Sequence, residues 1–454
     1  MRKTLLISLV ILALFTSCKV QKNIQKEDIV TIPPIENIQI MEDLQKSIED
    51  LPGIRVERIP TNNINFKASF KLMIEQPVDH FDLSKGYFEQ KVYLNHTDFN
   101  AIMVMNINGY SVPSNTFTSE LVPWLSSNFM HVEHRFFGES IPANLDYSVL
   151  TIEQAANDHH RVIEILKQVY KGKWITTGIS KGGQATIFHS MYFPDDADVS
   201  IPYVAPVNLA QEDTRLNTFL DQVGTPECRS KVLEFQRSIL GSYAESLKAF
   251  ENLSDEKELK YPMSTEKAFE LSVLEYEFAY WQWSGGAQCD LIPGKEAEAE
   301  DLVEQLFLID APGFFTESSI EYFFPFFYQA YAELGMYGYT TDSLQGYLKE
   351  YDSYVSNYAS FIPEKFNVEY NPEPLQKVQH YLENSANNFI FVYGENDAWS
   401  ATAFIPDGVN TNSVGLVNAD GSHLTRINDL SEIQKKIAFS KLAEWLDVKI
   451  IIQD

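Results

Sequence analysis

Gly178-Ile179-Ser180-Lys181-Gly182 sets a serine between two glycines. A β-rich run, Trp174-Ile175-Thr176-Thr177, leads into it, and a helix-compatible stretch, Gln184-Ala185-Thr186-Ile187-Phe188, leads out. A serine at a strand–turn–helix junction can serve as a nucleophile in acyl transfer, because the sharp turn lifts its Oγ clear of the sheet. The flanking glycines spare the turn a Cβ clash. The N–H of Lys181, just after the serine, is free to donate to a developing oxyanion. An ordinary Gly-rich turn is the competing reading, and the strand before and helix after argue against it.

A serine nucleophile needs a base and an acid to orient that base, and on such elbows they follow the serine in the order acid, then histidine. Nine histidines are present, of which His189, His380 and His423 follow Ser180. His189 falls on the helix leaving the elbow, too close in sequence to swing back. His380 falls in Leu375-Gln376-Lys377-Val378-Gln379-His380-Tyr381-Leu382, an amphipathic helix with a surface role for the histidine. His423 lies in the polar loop Asp420-Gly421-Ser422-His423-Leu424-Thr425, which suits a base. Upstream, Asn388-Phe389-Ile390-Phe391-Val392-Tyr393 reads as a buried strand opening into Gly394-Glu395-Asn396-Asp397-Ala398-Trp399. An acid at the C-terminal end of a late strand is placed to orient the base. Asp397 is preferred to Glu395 because it stands further out on the loop, although loop aspartates often serve only as turn formers.

A second oxyanion donor is expected after an early core strand. Ala101-Ile102-Met103-Val104-Met105-Asn106-Ile107 is that strand, and Asn108-Gly109-Tyr110 is its turn, which nominates the backbone N–H of Tyr110. A plain turn is the alternative. Asp158-His159-His160 brings metal-ligating types together, but adjacent helix positions point apart, so neither a metal nor another cofactor is expected.

The elements that must hold these residues alternate strand and helix from about residue 101 to 207, which indicates a mainly parallel sheet. Val204-Ala205-Pro206-Val207-Asn208 reads as the next core strand. Phe66 to Leu72 and Tyr87 to Leu94 read as antiparallel lead-in strands. From about 210 to 385 helical periodicity takes over, as in Lys231 to Phe250, Thr265 to Trp283 and Glu298 to Leu308. The core resumes at Asn388 and ends in the helix Asp429 to Leu446. The 454 residues, 44% hydrophobic with 30 phenylalanines, suffice for a large core and an additional domain. A formal net charge of -28 argues against nucleic-acid binding, because phosphate recognition needs basic patches, and could steer cationic ligands such as free peptide amines.

The amino terminus reads as an address. Met1-Arg2-Lys3 precedes an apolar run, Leu5 to Phe15, too short for a spanning helix, and Phe15-Thr16-Ser17-Cys18 follows. Small residues before a cysteine resemble the bacterial lipobox, so Cys18 is the expected lipidation site. The protein is then exported and anchored by lipid in the bacterial cell envelope, on the periplasmic face or the cell surface. The division expected is a signal segment over 1–18, a tether over 19–52, core over 53–209, helical cap over 210–386 and core again over 387–454. Cys228 and Cys289 remain as a pair in an oxidising compartment, where a disulfide is expected, two buried thiols being the alternative.

Several motifs carry a family resemblance. Glu75-Gln76-Pro77-Val78-Asp79-His80-Phe81 and Phe88-Glu89-Gln90-Lys91-Val92-Tyr93-Leu94-Asn95 resemble the opening of the lysosomal Pro-X carboxypeptidase clan. Val132-Glu133-His134-Arg135-Phe136-Phe137-Gly138-Glu139-Ser140 is similar to a signature shared with the bacterial secreted tripeptidyl aminopeptidases. Thr177 to Gly183, Gly224-Thr225-Pro226-Glu227-Cys228 and Tyr280-Trp281-Gln282-Trp283 resemble the bacterial group more closely. The likeness runs from about residue 65 to the C-terminus. It implies an α/β-hydrolase core with an inserted helical cap, and a serine exopeptidase that releases short peptides from free N-termini, often with a proline preference. Ser180, Asp397 and His423 match the family's triad positions.

An exopeptidase of that kind must register the substrate's α-ammonium. Glu277 and Glu275, in Leu274-Glu275-Tyr276-Glu277-Phe278-Ala279-Tyr280, are the cap acids nearest an aromatic cluster that includes Trp283. Glu277 is preferred, against the reading of both as solvated surface. Glu133 and Arg135 read as a structural pair beneath the site. Two other functions compete: a carboxylesterase or lipase with the same triad, and a non-catalytic surface-binding lipoprotein, against which the intact Ser180, Asp397 and His423 argue.

Overall fold

Residues 35–450 are described by a computed structural model. The chain divides into two units between Leu44 and Gln45, and the whole sheet belongs to the larger one. Nine strands form that sheet: β1 (Ile54–Ile59), β2 (Ala68–Pro77), β3 (Tyr87–His96), β4 (Met103–Ile107), β5 (Asn128–Val132), β6 (Trp174–Ile179), β7 (Val199–Tyr203), β8 (Ile390–Gly394) and β9 (Val414–Asn418). Their spatial order is β1-β2-β3-β5-β4-β6-β7-β8-β9. β1, β2, β3 and β5 pair antiparallel in turn, and every pairing from β5 through β9 is parallel.

β4, β5, β7 and β8 are buried along their whole length, as strands of a sheet covered on both faces must be. Side chains of β8 alternate between the faces. Ile390 and Val392 join Val104, Ile175 and Ile201 against the terminal helix Glu432–Leu446. Phe389 and Phe391 join Phe188 and the helix Glu373–Asn384 on the other side. This is the α/β-hydrolase architecture.

The helices between β7 and β8 include Arg215–Leu220, Pro226–Gly241, Tyr243–Glu256, Thr265–Ser284, Ala299–Leu308 and Glu317–Gln329. They share a core of their own around Phe235, Phe250, Phe269, Trp281, Phe315 and Tyr331. Among the described residues no helix is long and apolar enough to cross a membrane.

Four expectations are revised. The strand expected at Val204–Asn208 is Val199–Tyr203 instead. Val204 turns out of the sheet at φ 44, and Ala205 and Val207 are buried without strand pairing, a burial that looks the same as a strand in sequence. The helix read from Lys231 to Phe250 is two, parted at Ser242. The tether expected over 19–52 contains the helix Ile35–Glu49, and Ile48 and Leu51 are buried. β1, β5 and β9 add to the strands expected. The signal segment and Cys18 lie outside the described residues.

Candidate active site

Ser180 stands at the end of β6 as the first residue outside the helix Lys181–Tyr192, with φ 56 and ψ -122. A non-glycine residue in this region is strained, and such strain is kept only where the surroundings enforce it. The positive φ belongs to the serine itself, and the glycines spare the turn a Cβ clash, as the sequence suggests. A Cβ on Gly178 would run into the Gly182 carbonyl, and one on Gly182 into the Ile107 carbonyl, so close passage of three backbones is what requires them.

Register brings the other members to this end of the sheet. β6 pairs with β7 at Ile179–Tyr203, and β7 with β8 at Tyr203–Val392. Asp397 follows β8, is fully buried, and accepts from His423 Nδ1 at 2.7 Å through Oδ2. Its Oδ1 accepts the Trp399 N–H at 3.1 Å. A carboxylate can only accept, so Nδ1 carries the proton and Nε2 is left as the basic nitrogen. The His423 N–H donates to the Gln282 carbonyl at 2.8 Å. Arg426 donates to the His423 carbonyl at 3.3 Å and lies 5.6 Å over the Tyr203 ring. Ser180 N donates to the Tyr203 carbonyl at 2.9 Å, so the serine and histidine segments converge on one residue. Glu395 is apart from this pair and accepts the Asp420 N–H at 3.2 Å. His189 is buried against Asp196 at 2.9 Å, and His380 lies beside Asn384 on the helix before β8.

The turn after β4 packs directly on the elbow: a Cβ on Gly109 would stand 2.6 Å from Lys181 Cβ. The Lys181 N–H, at the first helical position, has no intrahelical acceptor. The Tyr110 N–H donates to Asn108 Oδ1 at 3.2 Å, so this proposed donor already has a long internal bond. Glu133 braces the turn by accepting the Val112 N–H at 2.7 Å. Contrary to the expected Glu133–Arg135 pair, Glu133 pairs with Lys91 at 2.9 Å and Arg135 with Asp158 at 2.6 Å. Asp158 also takes His80 at 2.8 Å, while His160 turns to Asp196 at 2.7 Å, so Asp158, His159 and His160 do not converge.

Residues 40–452 match the family described as PS-10 peptidase S37. The chain belongs to that family. It is similar to the prolyl tri/tetrapeptidyl aminopeptidase of Streptomyces mobaraensis, at 31% identity over 89% of this chain and 85% of that protein. By family and by that relative, this S37 peptidase is a serine peptidase of the aminopeptidase type. Among solved structures, the proline iminopeptidase of Mycobacterium smegmatis aligns with TM-score 0.40 and 11% identity, over 83% of this chain and 99% of that one. A putative hydrolase of Bacillus subtilis aligns with TM-score 0.35 and 11% identity, over 89% and 98%.

The helical insertion of the S37 peptidase reaches the site through the helix Thr265–Ser284. Trp283, 43% exposed, sets its ring edge-on to His423 at 5.7 Å. The Gly285 carbonyl accepts from Asn396 Nδ2 at 2.8 Å. A disulfide joins Cys228 to Cys289 just beyond, with Cα atoms 5.7 Å apart. Glu275 is buried and accepts from Tyr337 and Tyr339 hydroxyls at 3.0 and 2.6 Å, and burial pushes its pKa up to about 8. Glu277 makes no hydrogen bond or salt bridge among the described residues and lines a polar cavity with Asn217, Gln236, Tyr337 and Thr340. Burial, with Asp221 nearby, pushes its pKa up to about 7. Trp283 is not among the residues lining this cavity. Phe278 and Tyr337 of its lining set their rings 5.1 and 5.4 Å from Trp399, whose N–H donates to Asp397.

Sequence reasoning missed Glu120, which ties the base loop to β7. It accepts Tyr203 OH at 2.8 Å and the N–H groups of Ile427 and Asn428 at 2.9 and 3.0 Å. Contacts spanning 307 positions leave no local pattern to read.

Proposed function

We propose that this S37 peptidase is an exported serine exopeptidase that releases tripeptides, after proline, from free N-termini. The observation that carries the reading is the buried 2.7 Å Asp397–His423 pair at the end of the sheet that also bears the strained Ser180. The Streptomyces relative, by its name a prolyl tri/tetrapeptidyl aminopeptidase, supports the substrate class.

In this mechanism His423 Nε2 takes the Ser180 proton as Oγ attacks the scissile carbonyl, and Asp397 stabilises the resulting imidazolium. The N–H groups of Lys181 and Tyr110 stabilise the oxyanion, each by about 2–4 kcal/mol. The imidazolium then protonates the departing amine, and water repeats the sequence to release the peptide from Ser180. Glu277 receives the substrate α-ammonium, which resolves an otherwise unpaired carboxylate. Cys18 carries a lipid that holds the enzyme in the envelope.

The deciding experiment sets chromogenic Xaa-Xaa-Pro substrates with free and acetylated N-termini beside a p-nitrophenyl ester. Cleavage of the free-amine peptides alone is expected. Ester turnover without peptide turnover would favour an esterase. Membrane fractionation of Cys18→Ala tests the address: the variant should become soluble or stall in processing, and unchanged partition would reject a lipid anchor.

A further inference from the structure

Lys181 follows the nucleophile, yet its side chain turns inward and is 3% exposed. Its Nζ donates to the Gly109 carbonyl at 2.8 Å. It lies 5.6 Å over the Tyr110 ring and 5.4 Å over the Phe137 ring. It forms no salt bridge among the described residues, and burial pulls its pKa well below the ordinary lysine value. Besides Gly109, it lines a small cavity with His134, His159 and Gln329. An aliphatic side chain would fill the same path without the cost of burying an amine that lacks an acidic partner among the described residues. The amine therefore calls for a reason, and its hydrogen-bond acceptor supplies it.

The Gly109 carbonyl and the Tyr110 N–H belong to a single planar trans peptide, so they point in opposite directions. Whatever holds the oxygen also aims the N–H. We propose that the Lys181 side chain is a positioning residue of the oxyanion hole, its amine locking the Gly109–Tyr110 peptide plane so that the Tyr110 N–H faces the tetrahedral intermediate. The proposal rests on Ser180 being the nucleophile. One residue thus contributes a backbone donor and fixes the second donor through its side chain. The 3.2 Å bond from Tyr110 N to Asn108 Oδ1 is long enough for the N–H to be shared with a charged oxygen, a stronger acceptor.

Lys181→Met keeps the aliphatic stem and removes the amine. The expected result is a fall in kcat of about 10²–10³, the scale for losing one oxyanion donor, with KM within about twofold. Affinity for a peptide boronic acid, which forms a tetrahedral adduct on the serine, should fall in parallel, and affinity for the product tripeptide should hold. If that variant does not fold, Lys181→Gln keeps a polar head too short to reach the Gly109 carbonyl, and the same split is expected. A fluorophosphonate labels the nucleophile independently. With Ser180 labelled in the wild type, an unchanged kcat, or equal losses of boronate and product affinity, would overturn the proposal alone. Labelling elsewhere would overturn the reading of Ser180 and the proposal together.

Discussion

In the sheet-bearing core, burial pushes the Asp158 pKa up, but Arg135 and His80 outweigh it and hold the carboxyl below its ordinary value. Asp79 is likewise penalised by burial, yet the Phe81 N–H and Lys85 bring it down to about 2. The helical insertion treats its acids otherwise. Glu275 has tyrosine hydroxyls for company, Glu277 has no hydrogen bond or salt bridge among the described residues and Arg229 does not offset its burial, and both are pushed up, to about 8 and about 7. These two core acids have cationic partners, whereas Glu275 and Glu277 in the insertion form no salt bridge among the described residues. The proposed function gives this contrast the form of a division of labour, with chemistry in the core and recognition of a peptide's ammonium end in the insertion.

The sharpest break in that division comes from Ser180→Ala. Peptidase activity should fall by about 10⁴–10⁶ with thermal unfolding unchanged, and retention of a hundredth of the activity would remove Ser180 from its role.

Replacing Cys228 and Cys289 together by serine acts on the other side. Stability should drop by about 2–5 kcal/mol, and amide exchange should accelerate in Pro226–Gly241 while β4, β6 and β8 stay protected. Equal loss of protection in both regions would show that they unfold as one.

Glu277→Gln keeps shape and deletes charge. It should cost about 2–4 kcal/mol in kcat/KM for free-amine peptides and leave acetylated peptides, already poor substrates, little changed. Undiminished discrimination in the variant would hand the role to another group, with Glu275 next in line.

The smallest effect is a pH dependence. With a pKa of about 7, Glu277 loses its charge as pH falls below that value, so KM for free-amine peptides should rise toward pH 6 in the wild type and stay flat in Glu277→Gln. The same group binds its proton more tightly folded than unfolded. Its contribution to stability is therefore full below about 4.5 and declines as pH rises through about 7. A thermal melt series of wild type against Glu277→Gln would show the difference.

Much of this is legible in the sequence because local pattern carries it. The elbow needs a strand, a serine among glycines and a helix within a dozen residues, and the acid and base follow in fixed order along the chain. The long helix Thr265–Ser284 matches its sequence pattern within a residue or two because a cap residue, Ser264, and Gly285 bound it. Edge strands β1 and β9 escape notice, since their partly exposed residues lack the apolar signature of the buried strands. The pairing of Glu133 with Lys91 and of Arg135 with Asp158 is hidden for another reason. Opposite signs two positions apart suggest a pair, yet the chain has left β5 at Val132 and turns at Arg135, so the two side chains meet different neighbours.

The bond from the His423 N–H to the Gln282 carbonyl makes the insertion a structural parent of the histidine proposed as base. Asn396, beside Asp397, is held by the same helix end through Gly285. For protein engineering, this insertion cannot be treated as an interchangeable module. A chimera that swaps residues 210–386 to change specificity must carry over the Gln282–Gly285 corner, or the recipient core will inherit a new selector together with a misaligned histidine.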